Sequence, residues 1–202
     1  MPNEKSPKTQ TATLKEAARK TALLQRRALT VAERIERSLQ IALFASQIKL
    51  PSPARVAGFW PIRDEVDPRP LMAKFTEMGA ELCLPIVSGD DLVFRKLGRE
   101  GDLVPAGFGT YGPDEHATEV SPNVVLVPLA GFDRSGQRVG YGKGFYDRAI
   151  SRLEASGPVT TIGIAFACQE LEAVPVEPHD RTLDMIVTER GIIRAKESKD
   201  TK

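Results

Sequence analysis

Apolar and polar positions along the chain follow helical spacing in some stretches and strand-like runs in others. Thr13-Leu-Lys-Glu16 and Thr30-Val-Ala-Glu33 each have the form of a capping box, and each predicts a helix start. The first helix is expected to run to about Leu29. The second is expected to carry Ile35, Leu39, Ala42, Leu43 and Phe44 on one apolar face and to stop near Leu50-Pro51. Arg55 to Trp60 reads as a short strand, and Asp67-Pro68 as the start of a helix that Gly79 closes. Ala80 to Val87 and Leu92 to Leu97 read as two strands joined by the turn Ser88-Gly-Asp-Asp91. Gly98 to Pro122 is rich in glycine and proline and predicts a long loop.

Val124 to Leu129 is a nearly continuous apolar run, the pattern of a strand covered on both faces. A helix is predicted from about Gly144 to Leu153, a buried strand over Thr160 to Phe166, and a late strand over Met185 to Thr188. Strands alternating with helices predict an α/β fold with a largely parallel sheet. The expected organisation is one domain over residues 13–194, a disordered tail over residues 1–12 and a charged tail over residues 195–202.

Composition changes this picture little. The chain has 202 residues, 41% hydrophobic and 27% charged, which suits a soluble globular protein. A formal net charge of +1 argues against a nucleic-acid binder or a membrane-surface protein, so any anion site must be local. The N-terminal residues lack the apolar region of a signal peptide, and no run is apolar enough to span a bilayer. Cys83 and Cys168 stand in apolar contexts without paired spacing and read as reduced, buried thiols of a cytoplasmic protein.

The stretch Val124 to Arg148 concentrates the candidate chemistry. A strand-like run leads into a loop with Gly131, Gly136, Gly140, Gly142 and Gly144, and then into a helix. Arg138 and Lys143 add positive charge to backbone N–H groups at a helix start, a combination suited to phosphate. The loop is not a Walker motif, because Gly144 follows Lys143 where Ser or Thr is required. It comes too late in the chain for a dinucleotide fingerprint. Asp147, in the first turn of the following helix, suits either the helix dipole or a Mg²⁺ ion beside phosphates. Asp184 is either a second carboxylate or a turn residue. Lys15 and Arg19 share a helix face and either flank an anion or meet solvent. Trp60 either stacks on a flat ligand or packs in the core, and Glu65 sits in an acidic loop. His116 and His179 have no metal spacing, and no serine or cysteine stands in a nucleophile motif.

These residues resemble the 5-formyltetrahydrofolate cyclo-ligase family. The resemblance runs through Lys15-Glu-Ala-Ala-Arg19, Glu65-Val-Asp67, the long signature Phe132 to Arg148, Gly163 to Phe166 and His179 to Asp184. Tyr141 stands where many relatives have arginine, and Phe145 where many have tyrosine. Leu129-Ala130-Gly131 replaces a glycine-first order. The resemblance implies a three-layer Rossmann-like fold with helices on both faces of a mostly parallel sheet, as in sugar-phosphate isomerases and coenzyme A transferases. It also implies ATP-dependent cyclisation of 5-formyltetrahydrofolate to 5,10-methenyltetrahydrofolate, with Mg²⁺ as cofactor. The implied ATP residues are Lys15, Arg19 and the run Arg138, Val139, Gly140, Tyr141, Gly142, Lys143, Gly144, Phe145 and Tyr146. Arg138 and Lys143 would stabilise the transferring phosphoryl group. Trp60, Glu65, Tyr141, Gly142, Lys143, Gly144 and Phe145 would meet the folate, and Asp147 and Asp184 the metal. A monomer or weak dimer is expected, with no nucleic-acid or membrane partner. A non-catalytic nucleotide-binding relative on the same fold is the alternative.

Overall fold

The computed structural model describes residues 7–98, 103–106, 110–177 and 180–195. The elements in chain order are α1 (Pro7–Arg27), α2 (Val31–Ala42), β1 (Arg55–Ala57), α3 (Arg69–Glu77), β2 (Glu81–Ser88), β3 (Asp91–Lys96), β4 (Leu103–Pro105), β5 (Tyr111–Pro113), β6 (Val124–Pro128), β7 (Gly131–Phe132), β8 (Arg138–Val139), α4 (Phe145–Glu154), β9 (Thr160–Ile164), β10 (Met185–Thr188) and β11 (Gly191–Arg194). Among the described residues, seven strands form one sheet in the order β11-β10-β9-β6-β1-β2-β3. Neighbours pair in parallel from β10 to β2, and the edge strands β11 and β3 pair antiparallel. The α/β fold with a mostly parallel sheet matches expectation.

Alternate residues of each strand face opposite layers. Val124 and Leu126 of β6 join Val56, Leu71 and Phe75 in a core that takes in α2 and α3. Val125 and Val127 join Ala149, Ile150 and Leu153 of α4 on the other side. Helices therefore cover both faces, which is why β6 is buried at every position except its terminal Pro128.

Several boundaries depart from the sequence reading. The first helix starts at Pro7, so Thr13 is interior to it and part of the expected tail is helical. Proline at the first helical position loses no hydrogen bond. Residues 1–6 and 196–202 of the expected tails, and His179, lie outside the described residues. The second capping box forms as read: Thr30 Oγ1 accepts from the Glu33 N–H at 3.2 Å, and a Glu33 carboxylate oxygen accepts from the Thr30 N–H at 2.8 Å. Its helix ends at Ala42, short of Leu50, and is turned differently from expectation. Ser38, Ile41 and Ala42 face inward, while Ile35, Leu39 and Leu43 are exposed. Ser38 sets this rotation, because its hydroxyl donates to Arg34 O and accepts the Asp67 N–H. The region read as one loop contains the hairpin of β4 and β5, and the glycine loop contains the hairpin of β7 and β8.

Cys83 is buried, and burial pushes its thiol pKa up to about 12; Cys168 is half-buried. Among the described residues, no helix is long and apolar enough to cross a membrane.

α1 lies across the carboxyl end of the sheet, against β7, β8 and the 3-10 turn Ala167–Gln169. The closest approach is at Gly131, where an added Cβ would sit 2.8 Å from Ala22 Cβ and 3.0 Å from Leu171 Cδ1. The Ala22 methyl is fixed to the helix backbone and cannot rotate away. Gly131→Ala is therefore expected to destabilise the fold by about 1–3 kcal/mol through overpacking. Urea unfolding checks this, and an unchanged midpoint would show that α1 is not seated there.

Candidate functional site

The sheet's connections diverge at its centre. From β1 the chain crosses through α3 to β2 on one side; from β6 it crosses through α4 to β9 on the other. This leaves a crevice beyond the carboxyl ends of β1 and β6, the position where open α/β sheets bind ligands. A cleft of about 1570 Å³ occupies it. Its walls come from α1, the segment after β1, the β4–β5 hairpin and the loop from Arg138 to Arg148.

One end of the cleft is rich in charge. Lys15 Nζ donates to Glu177 Oε2 at 2.7 Å and to Asp180 Oδ2 at 2.5 Å. Burial disfavours the Lys15 ammonium, but its hydrogen bonds to Asp180 and Glu177 outweigh this and raise its pKa. Arg19 Nε donates to Gly140 O at 2.6 Å, which ties α1 to the glycine loop. Arg138 is 6% exposed at its side chain and pairs through Nη2 with Asp147 Oδ1 at 2.6 Å. Its Nη1 donates to Arg181 O. Burial lowers the Arg138 pKa, opposed in part by the charges of Asp147 and Asp180.

Gly142 and Gly144 adopt positive φ of 90° and 65°, which lets the loop double back before α4. Gly144 is the N-cap of α4, so the first N–H groups of that helix open near the loop. The Lys143 ammonium lies 5.7 Å from the Phe145 ring centroid, and the Arg148 guanidinium lies 5.3 Å from it. The cleft rim thus presents cations over an aromatic ring.

The other end is aromatic and acidic. The Trp60 and Tyr111 rings stand 5.5 Å apart at 58°. Arg69 reaches over Trp60 at 4.8 Å and pairs with Asp67 at 2.6 Å. Glu65 Oε2 accepts the Ile62 N–H at 2.9 Å, and the Tyr141 hydroxyl stands near enough to the same carboxylate to favour its charged form. Burial raises the Glu65 pKa against the pull of these contacts.

The 5-formyltetrahydrofolate cyclo-ligase family model matches residues 11–189. A 5-formyltetrahydrofolate cyclo-ligase of Mycolicibacterium smegmatis is 33% identical over 186 residues, covering 86% of this chain and 94% of that protein. The chain belongs to this family. The Escherichia coli cyclo-ligase is 32% identical over 140 residues, covering 66% of this chain and 76% of that protein. The solved 5,10-methenyltetrahydrofolate synthetase of Aquifex aeolicus superposes with a TM-score of 0.75 at 30% identity, over 94% of this chain and 96% of that one. The Mycoplasma pneumoniae synthetase shares the fold, with a TM-score of 0.68 at 24% identity, over 87% of this chain and 98% of that one.

Within this family frame, the cleft gathers Lys15, Arg19, Trp60, Glu65, the run from Arg138 to Tyr146, and Asp147. It does not gather Asp184. Asp184 Oδ2 accepts from the Thr161 N–H at 2.7 Å and from Thr161 Oγ1 at 2.8 Å, at the start of β9 and so at the opposite end of the strand from the cleft. The second carboxylate at the charged end is Asp180, beside Glu177. Both aspartates sit in the same short element of sequence, and which of them faces the cleft depends on how the chain enters β10.

The sequence reading also missed Arg26 and Tyr111. Arg26 lies on the same face of α1 as Lys15 and Arg19, but nothing local signals its burial. Its partner Asp64 is contributed by the segment after β1.

Thr161 is buried and relies on Asp184 as acceptor for two donors. Asp184→Ala is expected to lower the unfolding free energy by about 1–3 kcal/mol. Urea titration measures this, and a change within experimental error would mean the turn does not hold β9.

Proposed function

We propose that this protein catalyses the ATP-dependent cyclisation of 5-formyltetrahydrofolate to 5,10-methenyltetrahydrofolate, releasing ADP and phosphate. The observation that carries the reading is the two-ended cleft at the sheet's switch point. A cationic glycine loop suited to phosphates lies against an aromatic, acidic wall suited to a flat heterocycle, with residues 140–145 between them. Family membership names the two substrates that fit these ends.

The chemistry asks for both. Ring closure must expel the formyl oxygen from an unreactive amide carbon, and oxide or hydroxide is a poor leaving group. The formyl oxygen attacks the terminal phosphoryl group of ATP, and ADP departs. The free folate nitrogen then attacks the activated carbon and gives up its proton to water, and the C–O bond breaks to release phosphate. Charge on the transferring phosphoryl group is met by preorganised cations, the effect that supplies most of the catalysis in phosphoryl transfer. Lys143 at the loop apex takes that role. Lys15 and Arg19 bind the remaining phosphates from α1. Arg138 adds charge and holds Asp147 in place. Trp60 stacks on the pterin, and Glu65 accepts hydrogen bonds from its ring N–H groups.

The residues present fit a Mg²⁺ ion. Asp147 and Asp180 are hard oxygen donors on one end of the cleft, and both act electrostatically on the Arg138 guanidinium between them. Mg²⁺ favours one or two carboxylates completed by phosphate oxygens and water. Asp147 and Asp180 would hold it, and it would supply charge neutralisation for the ATP phosphates. Glu177 keeps Lys15 paired if Asp180 turns to the metal. We place the protein in the cytoplasm, in folate one-carbon metabolism, as a monomer or weak dimer.

Purified protein with Mg-ATP and 5-formyltetrahydrofolate is expected to develop the near-ultraviolet absorbance of a methenyl folate; folded protein that gives none overturns the reading. Lys143→Ala is expected to lower kcat by about 10²–10³ with an unchanged thermal midpoint. Asp180→Asn is expected to raise the Mg²⁺ concentration needed for half-maximal rate, and Asp184→Asn to leave it unchanged. The reverse order would return the metal role to Asp184.

A further inference from the structure

Arg26 is a deeply buried cation of α1, with 5% of its side chain exposed, and stands behind the cleft-lining Tyr141. It is not one of the cations assigned above to the phosphates. Its guanidinium forks onto Asp64, with Nε to Oδ2 at 3.2 Å and Nη2 to Oδ1 at 3.0 Å. The third arm, Nη1, donates to the Tyr141 hydroxyl oxygen at 2.8 Å. That hydroxyl stands beside Glu65 and favours its carboxylate form. Four side chains from three separate segments thus form one line: Asp64, Arg26, Tyr141 and Glu65.

The direction of this line follows from donor chemistry. Arginine has only N–H donors and no acceptor, so the Tyr141 oxygen can only accept from it. The single Tyr141 hydrogen must then point elsewhere, and the Glu65 carboxylate is the acceptor in reach. Without the guanidinium, the hydroxyl is free to rotate and can donate to water or to Asp64. Asp64 balances the Arg26 charge and fixes its plane through a bidentate contact.

We propose that Arg26 is a positioning residue for the folate half of the reaction: it holds the Tyr141 hydroxyl on Glu65 and so aims that carboxylate at the pterin. The proposal rests on the folate reading given above and deepens it. The groups that face Glu65 are Asp64, Arg26, Tyr141 and Tyr146. Burial favours the neutral acid at Glu65, while the Tyr141 hydrogen bond and the Arg26 charge favour the carboxylate. Removing either one raises the Glu65 pKa further. A carboxylate that must accept N–H groups then loses folate affinity at a higher pH.

The test has an arm that needs no turnover. In unliganded protein, the Glu65 side-chain carboxyl is titrated by ¹³C NMR. Tyr141→Phe and Arg26→Gln are each expected to move its midpoint to higher pH; an unmoved midpoint in both overturns the relay. In steady-state kinetics, each variant is expected to raise KM for 5-formyltetrahydrofolate about tenfold, and KM for ATP by clearly less. The double variant is expected to be no worse than the more severe single one, because both act through one hydrogen-bonded line. Equal rises in both KM values, or effects that multiply, would make Arg26 a staple for α1 and overturn the positioning role. Should Arg26→Gln fail to fold, Tyr141→Phe decides alone. Wild-type protein that makes no product would sink the folate reading, and the NMR arm would still decide the relay.

Discussion

A long N-terminal helix that shows cations to the protein body can lie there only if acceptors meet each of them. This constraint shapes the cleft. Lys15 meets Glu177 and Asp180, Arg19 meets the Gly140 carbonyl, and Arg26 meets Asp64 and Tyr141. The apolar seat is small and centres on Ala22 against Gly131. The helix is therefore docked by the site residues themselves, and folding and site assembly share the same contacts. Desolvating three cations is costly unless every one is paired. That explains why carboxylates crowd the cationic end of the cleft: they hold the cations in place.

The two ends of the cleft use charge differently. At the phosphate end the pairs are held largely by lysine and arginine reaching across segments, and the loop glycines set the backbone. At the folate end, charge is fixed by a buried fork and passed through a hydroxyl to Glu65. The segment from Gly140 to Phe145 borders both ends of the cleft, so movement of this loop reshapes both. Such coupling suits a reaction in which the formyl oxygen of one substrate must meet the terminal phosphoryl of the other, since misplacement by an ångström is costly.

Much of this was legible because its signals are local. The apolar run of β6 announces a doubly covered strand, and Gly142 and Gly144 mark turns that need positive φ. The capping box at Thr30 forms as read. What escaped notice depends on distant partners. Ser38 turned α2 away from the face its leucines suggested, because Asp67 bonds to it across the layer. Asp180 and Asp184 are indistinguishable by type and spacing; Thr161 claims one and Lys15 the other. Arg26 carries no local signal of burial, because its partner Asp64 is brought beside it only by the fold. β7 and β8 each have two residues, too few for a period to show.

In the proposed reaction the formyl oxygen leaves the folate as part of phosphate. This is tested most directly by labelling that oxygen with ¹⁸O and measuring the released phosphate by mass spectrometry. The account predicts one ¹⁸O atom in each phosphate formed during turnover. Unlabelled phosphate, with the label released to water, would contradict it.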